Sequence, residues 1–189
     1  MPMISAKDGT QLYVKDWGQG RPVVLIHGWP LTADSWETQA LGLAEAGYRV
    51  VSYDRRGFGR SEQPWNGYEY DTLSDDLAAV IDGLELTDAA IIGFSMGGGE
   101  VARYVSRHGA KGASRLGFIS SVAPGLLKSD ANPDGAPADL FEGMRDGLRK
   151  DRPAFLQDFA KQFYGQGLLG GVSQAVLDWT QGMAMMASP

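Results

Sequence analysis

Gly93-Phe94-Ser95-Met96-Gly97 follows the apolar run Ala89-Ala90-Ile91-Ile92 and precedes a segment whose apolar residues Val101, Tyr104 and Val105 recur at helical spacing. A serine held between a strand and a helix sits on a sharp turn, where Cβ atoms two residues to either side would collide. Glycine at both flanking positions relieves that crowding. The pentapeptide therefore constrains the chain to a strand, a tight turn and a helix in immediate succession. The helix must also aim its N-terminus at the turn, which leaves the Met96 amide outside the helical ladder.

Other segments repeat the pattern. Val23-Val24-Leu25-Ile26 is short, β-branched and apolar throughout, which reads as a strand buried on both faces. Tyr48–Tyr53 and a stretch over 116–122 read the same way. Two further strands are expected near 3–6 and over Gln11–Trp17. Helical patterns lie between them. In one, Thr72 with Asp75 resembles a capping box, and Leu73, Leu77, Val80, Ile81 and Leu84 share a face. In the helix after Ser95, Gly109 stands where a C-terminal stop belongs. Buried strands alternating with helices predict an α/β fold, a mostly parallel sheet with helices on both faces. Ligands of such sheets bind beyond the carboxyl ends of the strands. His27-Gly28-Trp29-Pro30 and the Ser95 turn both fall there.

The pattern changes after Val122. Residues 124–137 are rich in Pro, Gly, Asp and Asn, as in a loop, and three helical stretches follow, over 140–150, 153–164 and 173–186. Two regions are expected: 1–122, the N-terminal part of an α/β core, and 123–189, a loop with a helical lid. The aromatic and methionine side chains of the lid read as helix packing.

Composition narrows the chemistry. With no cysteine, disulfides, thiolate catalysis and Cys-type metal sites are excluded, and a net charge of −6 opposes nucleic acid or an anionic membrane as partner. No apolar run reaches bilayer-spanning length, and the first residues lack a signal-peptide pattern. The expected location is the cytoplasm. A serine hydroxyl raised on such a turn suits nucleophilic attack, with Ser95 as the expected catalytic residue. The backbone amides of Met96 and Trp29 are the expected oxyanion donors, since Pro30 has no N–H. Trp29, Pro30 and Phe94 are expected to line the substrate pocket.

The motifs His27-Gly28-Trp29-Pro30, Tyr53-Asp54-Arg55-Arg56-Gly57-Phe58-Gly59-Arg60-Ser61, Gly93-Phe94-Ser95-Met96-Gly97-Gly98 and Gly99-Glu100-Val101-Ala102-Arg103-Tyr104, with Asn132-Pro133-Asp134-Gly135 in the lid, run through essentially the whole chain. Together they resemble the bacterial non-haem haloperoxidase, perhydrolase and aryl-esterase branch of the α/β-hydrolases. The resemblance implies hydrolysis of small carboxylic esters through an acyl-enzyme, with no metal, haem or other cofactor. It also implies a side reaction in which hydrogen peroxide replaces water, with Pro30 beside the oxyanion residue as the position of interest. An amide, lactam or carbon–carbon bond hydrolase on the same scaffold, and an inert ligand- or partner-binding remnant, stay open as alternatives. By analogy the complete unit is expected to be a homo-oligomer.

Only two histidines are present. His108 lies 13 residues beyond Ser95 on one helix, roughly 20 Å away, and suits a helix C-terminus. His27, by the same resemblance, holds the oxyanion loop and is not the base. Asp54 is expected in a hydrogen-bonding turn. The family's triad acid and histidine follow two further strands that have no counterpart here. The expectation is therefore a fragment, with a second polypeptide supplying those strands, the acid and the histidine, and with the strand over 116–122 as an exposed edge.

Overall fold

Six strands, five α-helices and one short 3-10 helix, Ala33–Trp36, make up the computed structural model, which describes residues 2–123, 125–167 and 170–189. Pro124, at the head of the expected loop, lies outside the described residues. The chain divides into two compact units, Met1–Pro124 with Ala187–Pro189, and Gly125–Met186. The last three residues thus group with the sheet, where the Ser188 amide donates to the Gly57 carbonyl at 2.6 Å.

In the first unit the strands are β1 (Met3–Ser5), β2 (Gln11–Trp17), β3 (Arg21–Ile26), β4 (Tyr48–Tyr53), β5 (Ala89–Phe94) and β6 (Ala113–Ile119), in the spatial order β1-β2-β4-β3-β5-β6. β1 and β2 are antiparallel to their neighbours, and β4, β3, β5 and β6 are parallel. The helices are α1 (Glu37–Glu45), α2 (Tyr70–Gly83) and α3 (Met96–His108). β3 shows why its apolar run has no polar alternation. Val24 and Ile26 pack with Leu77, Val80, Ile81, Val101 and Tyr104 of α2 and α3, whereas Val23 and Leu25 pack with Trp36 and Ala40 on the opposite face. Both faces are covered, so both sets of side chains must be apolar.

Two local expectations need correction. The last strand starts and ends three residues earlier than the run over 116–122, because Ser120 turns to a φ of 42° and leaves the ladder. Thr72 does not cap α2: the cap position is Glu69, and the Thr72 hydroxyl, one turn inside, donates to the Glu69 carboxylate. β6 forms one edge of the sheet, with Leu116, Phe118 and Ile119 40%, 49% and 45% exposed.

The second unit contains α4 (Ala138–Phe163) and α5 (Gln174–Met185). α4 is two helices joined at Asp151, where φ is −158° and ψ 87°. The Asp151 carboxylate accepts from the Ala154 amide at 3.0 Å, capping the second half, and Pro153 sits in that first turn, where its missing N–H costs nothing. Ser173 caps α5 in the same manner through the Val176 amide. Phe155, Phe159 and Phe163 stack along one stripe, with centroids 6.4 Å apart at each step. Tyr164 and Thr180 join the helices through their hydroxyls at 3.0 Å. Among the described residues no helix is long and apolar enough to cross a membrane.

Candidate active site

Strand register decides what meets at the carboxyl edge of the sheet. Ile26 of β3 pairs with Tyr53 of β4 on one side and with Gly93 of β5 on the other. The three strands therefore finish level, and the loops that begin at His27, Asp54 and Ser95 leave the sheet side by side.

Ser95 occupies the junction of β5 and α3 with φ 52° and ψ −116°. That conformation costs a non-glycine residue about 1–3 kcal/mol and persists only where the surroundings enforce it. Here the Ser95 amide donates to Ile119 O at 2.9 Å, and its carbonyl accepts from Gly98 N at 3.0 Å and Val122 N at 3.2 Å. The backbone is gripped from β6 on one side and α3 on the other. A Cβ on Gly93 would lie 2.3 Å from Gly97 O, and one on Gly97 would lie 2.6 Å from Ile26 O. Both collisions are with backbone, so neither glycine can be replaced without moving the sheet.

The loop after β3 lies against this turn. A Cβ on Gly28 would come within 2.9 Å of the Phe94 ring and 3.1 Å of Ser95 Cβ. Trp29 is half-buried and Pro30 buried, joined by a cis peptide bond. Phe94 meets Trp36 edge to face at 6.4 Å. Met96 is the first residue of α3, and its carbonyl accepts from the Tyr70 hydroxyl at 3.3 Å. The structure thus brings Ser95, Phe94, Met96 and the Gly28–Pro30 loop together.

Neither histidine joins them as a base. His27 is fully buried, with Nδ1 2.9 Å from Gly28 O and Nε2 accepting from the Arg55 amide at 3.1 Å. A carbonyl facing Nδ1 and an N–H facing Nε2 select the neutral Nδ1–H tautomer, and both ring nitrogens are consumed. His108 closes α3, stacked on Tyr104 at 5.3 Å and 2.8 Å from the Asp75 carboxylate. Asp54 is a turn residue: its carboxylate accepts from Ala33 N at 2.8 Å and Arg60 N at 2.9 Å.

Burial, reinforced by the nearby Arg55 cation, holds the His27 pKa well below its usual value. The unfolded chain then binds more protons than the folded one below the unfolded pKa of 6.5, so stability falls as pH falls through that window. Burial pushes the Asp76 carboxyl the other way, up to about 6, and that group gains stability on acidification. Comparison with His27→Gln cancels the Asp76 contribution. Between pH 7 and 5.5 the wild type should lose about 1.3 kcal/mol more than the variant, read from urea melts at both pH values. Parallel losses would contradict a neutral His27.

A buried network that sequence reasoning missed lies beneath the site. Arg55 Nε donates to Glu100 Oε2 at 2.8 Å and its Nη2 to His27 O at 2.8 Å, and the Tyr53 hydroxyl donates to Glu100 Oε1. A legible signal existed: Glu100 is a carboxylate on the apolar face of α3, one turn before Tyr104. Among the described residues no cluster of His, Asp and Glu could hold a metal ion.

Comparison with known proteins places this geometry. Residues 21–169 match the family model described as the alpha/beta hydrolase fold. The chain is 43% identical over 187 residues to a non-heme chloroperoxidase of Kitasatospora aureofaciens, covering 97% of this chain and 68% of that protein. It is 42% identical over 189 residues to a bifunctional esterase/perhydrolase of Acinetobacter calcoaceticus, with the same two coverages. The crystal structure of bromoperoxidase from Bacillus anthracis superposes with a TM-score of 0.93 at 46% identity, over 100% of this chain and 69% of that one. The expected second polypeptide finds no support: each relative carries the matched region and its remaining third in one continuous chain. With its parallel sheet, its strand–turn–helix at Ser95 and these relatives, the chain belongs to the α/β-hydrolase family, in the branch of the non-haem haloperoxidases.

Proposed function

We propose that the protein is a serine hydrolase of small carboxylic esters, with Ser95 as nucleophile. The observation that carries this reading is the Ser95 backbone, held at φ 52° between β5 and α3 directly against the Gly28 loop. In this mechanism Ser95 Oγ attacks the ester carbonyl, the alcohol leaves, and an acyl-enzyme remains for water to cleave. The amide of Met96, in the first turn of α3, faces no helical acceptor and would donate to the tetrahedral oxyanion. The Trp29 amide would be the second donor, and Trp29, Pro30 and Phe94 would border the acyl group. Since both ring nitrogens of His27 are occupied and His108 is at the far end of α3, neither histidine of this sequence is assigned as the activating base.

The side reaction with hydrogen peroxide is part of the same proposal, supported by the name of the esterase/perhydrolase relative and by Pro30. A histidine-activated peroxide would attack the acyl-enzyme as water does, releasing a peracid. Cytoplasmic location and a homo-oligomer of the complete unit belong to this reading as well.

The test uses a fluorophosphonate probe and a substrate panel on the full-length protein. The expected result is a single adduct on Ser95 by peptide mass, and p-nitrophenyl acetate hydrolysed at least about 100-fold faster than the matching anilide. A probe adduct elsewhere, or none, would reject the nucleophile. A preference for the anilide would favour the amide or lactam alternative.

A further inference from the structure

The oxyanion amides proposed above come from separate elements, Trp29 from the loop after β3 and Met96 from α3. Their separation must be set by whatever ties the two elements together. The Arg55 side chain touches both. Its fork donates to Glu100 on α3 at 2.8 Å and to the His27 carbonyl, two residues before Trp29, at 2.8 Å. Its Nη1 also lies 3.7 Å from Met96 Sδ. Its own amide donates to the His27 ring at 3.1 Å, so the loops after β4 and β3 and the helix α3 meet in one residue. Arg55 and Glu100 are both 0% exposed, and Glu100 is held a second time by the Tyr53 hydroxyl.

Such a pair is not explained by stability. Replacing a buried ion pair with apolar groups of similar size is often neutral or stabilising. What an ion pair provides here is direction: a planar fork fixes two acceptors at once, which neither lysine nor an apolar side chain does. We propose that Arg55 is a positioning residue that sets the spacing of the Trp29 and Met96 amides, acting through the His27 carbonyl and Glu100. This rests on the oxyanion assignment above. Arg55 does not touch the substrate, and its effect is on the alignment of donors that must match the transition state. A misplacement near 1 Å in such a site costs about 100-fold in rate.

The test compares Arg55→Lys and the double variant R55M/E100Q with wild type. The double variant removes both charges while leaving the Tyr53 hydroxyl an acceptor, so it is expected to fold even if the single variant does not. Two measurements are made: the second-order rate of fluorophosphonate labelling at Ser95, corrected for folded fraction, and the amide resonances of Trp29 and Met96 in a ¹⁵N–¹H spectrum. The expected result is a 10- to 100-fold slower labelling in both variants, little change in the KM for p-nitrophenyl acetate, and displacement of both amide resonances while those of β1 and β2 stay fixed. Labelling that falls only with the folded fraction, or amide resonances that do not move, would overturn the proposal. If wild type itself is not labelled at Ser95, the nucleophile reading fails, and the amide resonances alone decide whether Arg55 sets this geometry.

Discussion

Ser95→Gly is expected to melt higher than wild type while Ser95→Ala is not, although both abolish labelling and turnover. The reason is that two properties of this residue separate cleanly. Its hydroxyl is the proposed nucleophile, and its loss should lower ester turnover by at least about 10⁴-fold in either variant. Its backbone, at φ 52° and ψ −116°, stores strain that alanine shares and glycine does not. Relief of about 1–3 kcal/mol is offset by the greater freedom of glycine in the unfolded chain, about 0.5–1 kcal/mol. The net expectation is about 1 kcal/mol of added stability for Ser95→Gly, or roughly 2–4 °C by scanning calorimetry in a domain of this size. Ser95→Ala should stay within about 0.5 kcal/mol of wild type. Equal melting of the two variants would show that the strain is not held at Ser95. The gain for glycine would mean that the fold gives up stability to keep a side chain at this turn.

Gly97→Ala should be strongly destabilising, against the sign that helix propensity alone would give. Alanine is the better helix former, and in an open helical position the exchange gains about 0.5–1 kcal/mol. Gly42 of α1 is such a position, with no atom within 4 Å of an added Cβ, and Gly42→Ala should gain that amount. At Gly97 the added carbon would meet Ile26 O at 2.6 Å and His27 O at 3.0 Å. These are main-chain oxygens of the last residue of β3 and the first of the loop after it, so relief requires α3 to withdraw from β3. A loss of about 3 kcal/mol follows, together with displacement of Met96 relative to the Gly28 loop. Denaturant melts and phosphonate labelling of both variants check this. A Gly97→Ala protein as stable as Gly42→Ala would place the two elements further apart than described.

The two predictions mark where the sequence was legible. Gly93, Ser95 and Gly97 announce a strand–turn–helix because the apolar run Ala89-Ala90-Ile91-Ile92 precedes them and the helical spacing of Val101, Tyr104 and Val105 follows. The apolar runs of β3, β4 and β5 were equally plain, because covered faces leave no room for polar alternation. The start of β6 was not. Ala113-Ser114-Arg115 lacks an apolar face, yet it pairs with β5 from Ala89 onward, because backbone hydrogen bonds to a neighbouring strand do not depend on side chains. Thr72 and Asp75 have capping spacing, yet α2 begins three residues earlier, with Glu69 at the cap position and Tyr70 packed over Gly99.

What the sequence by itself determined is therefore the parallel sheet, the Ser95 turn, and the remoteness of His108, which is bound to the far end of the same helix. Tertiary structure alone decided which residues share the site. The level ends of β3, β4 and β5 bring His27, Arg55 and Ser95 together from positions tens of residues apart, and no local pattern encodes that register. Only burial shows that His27 is neutral and fully engaged, and that Arg55 and Glu100 face each other, because hydrogen-bond partners are fixed by three-dimensional neighbours and not by spacing along the chain.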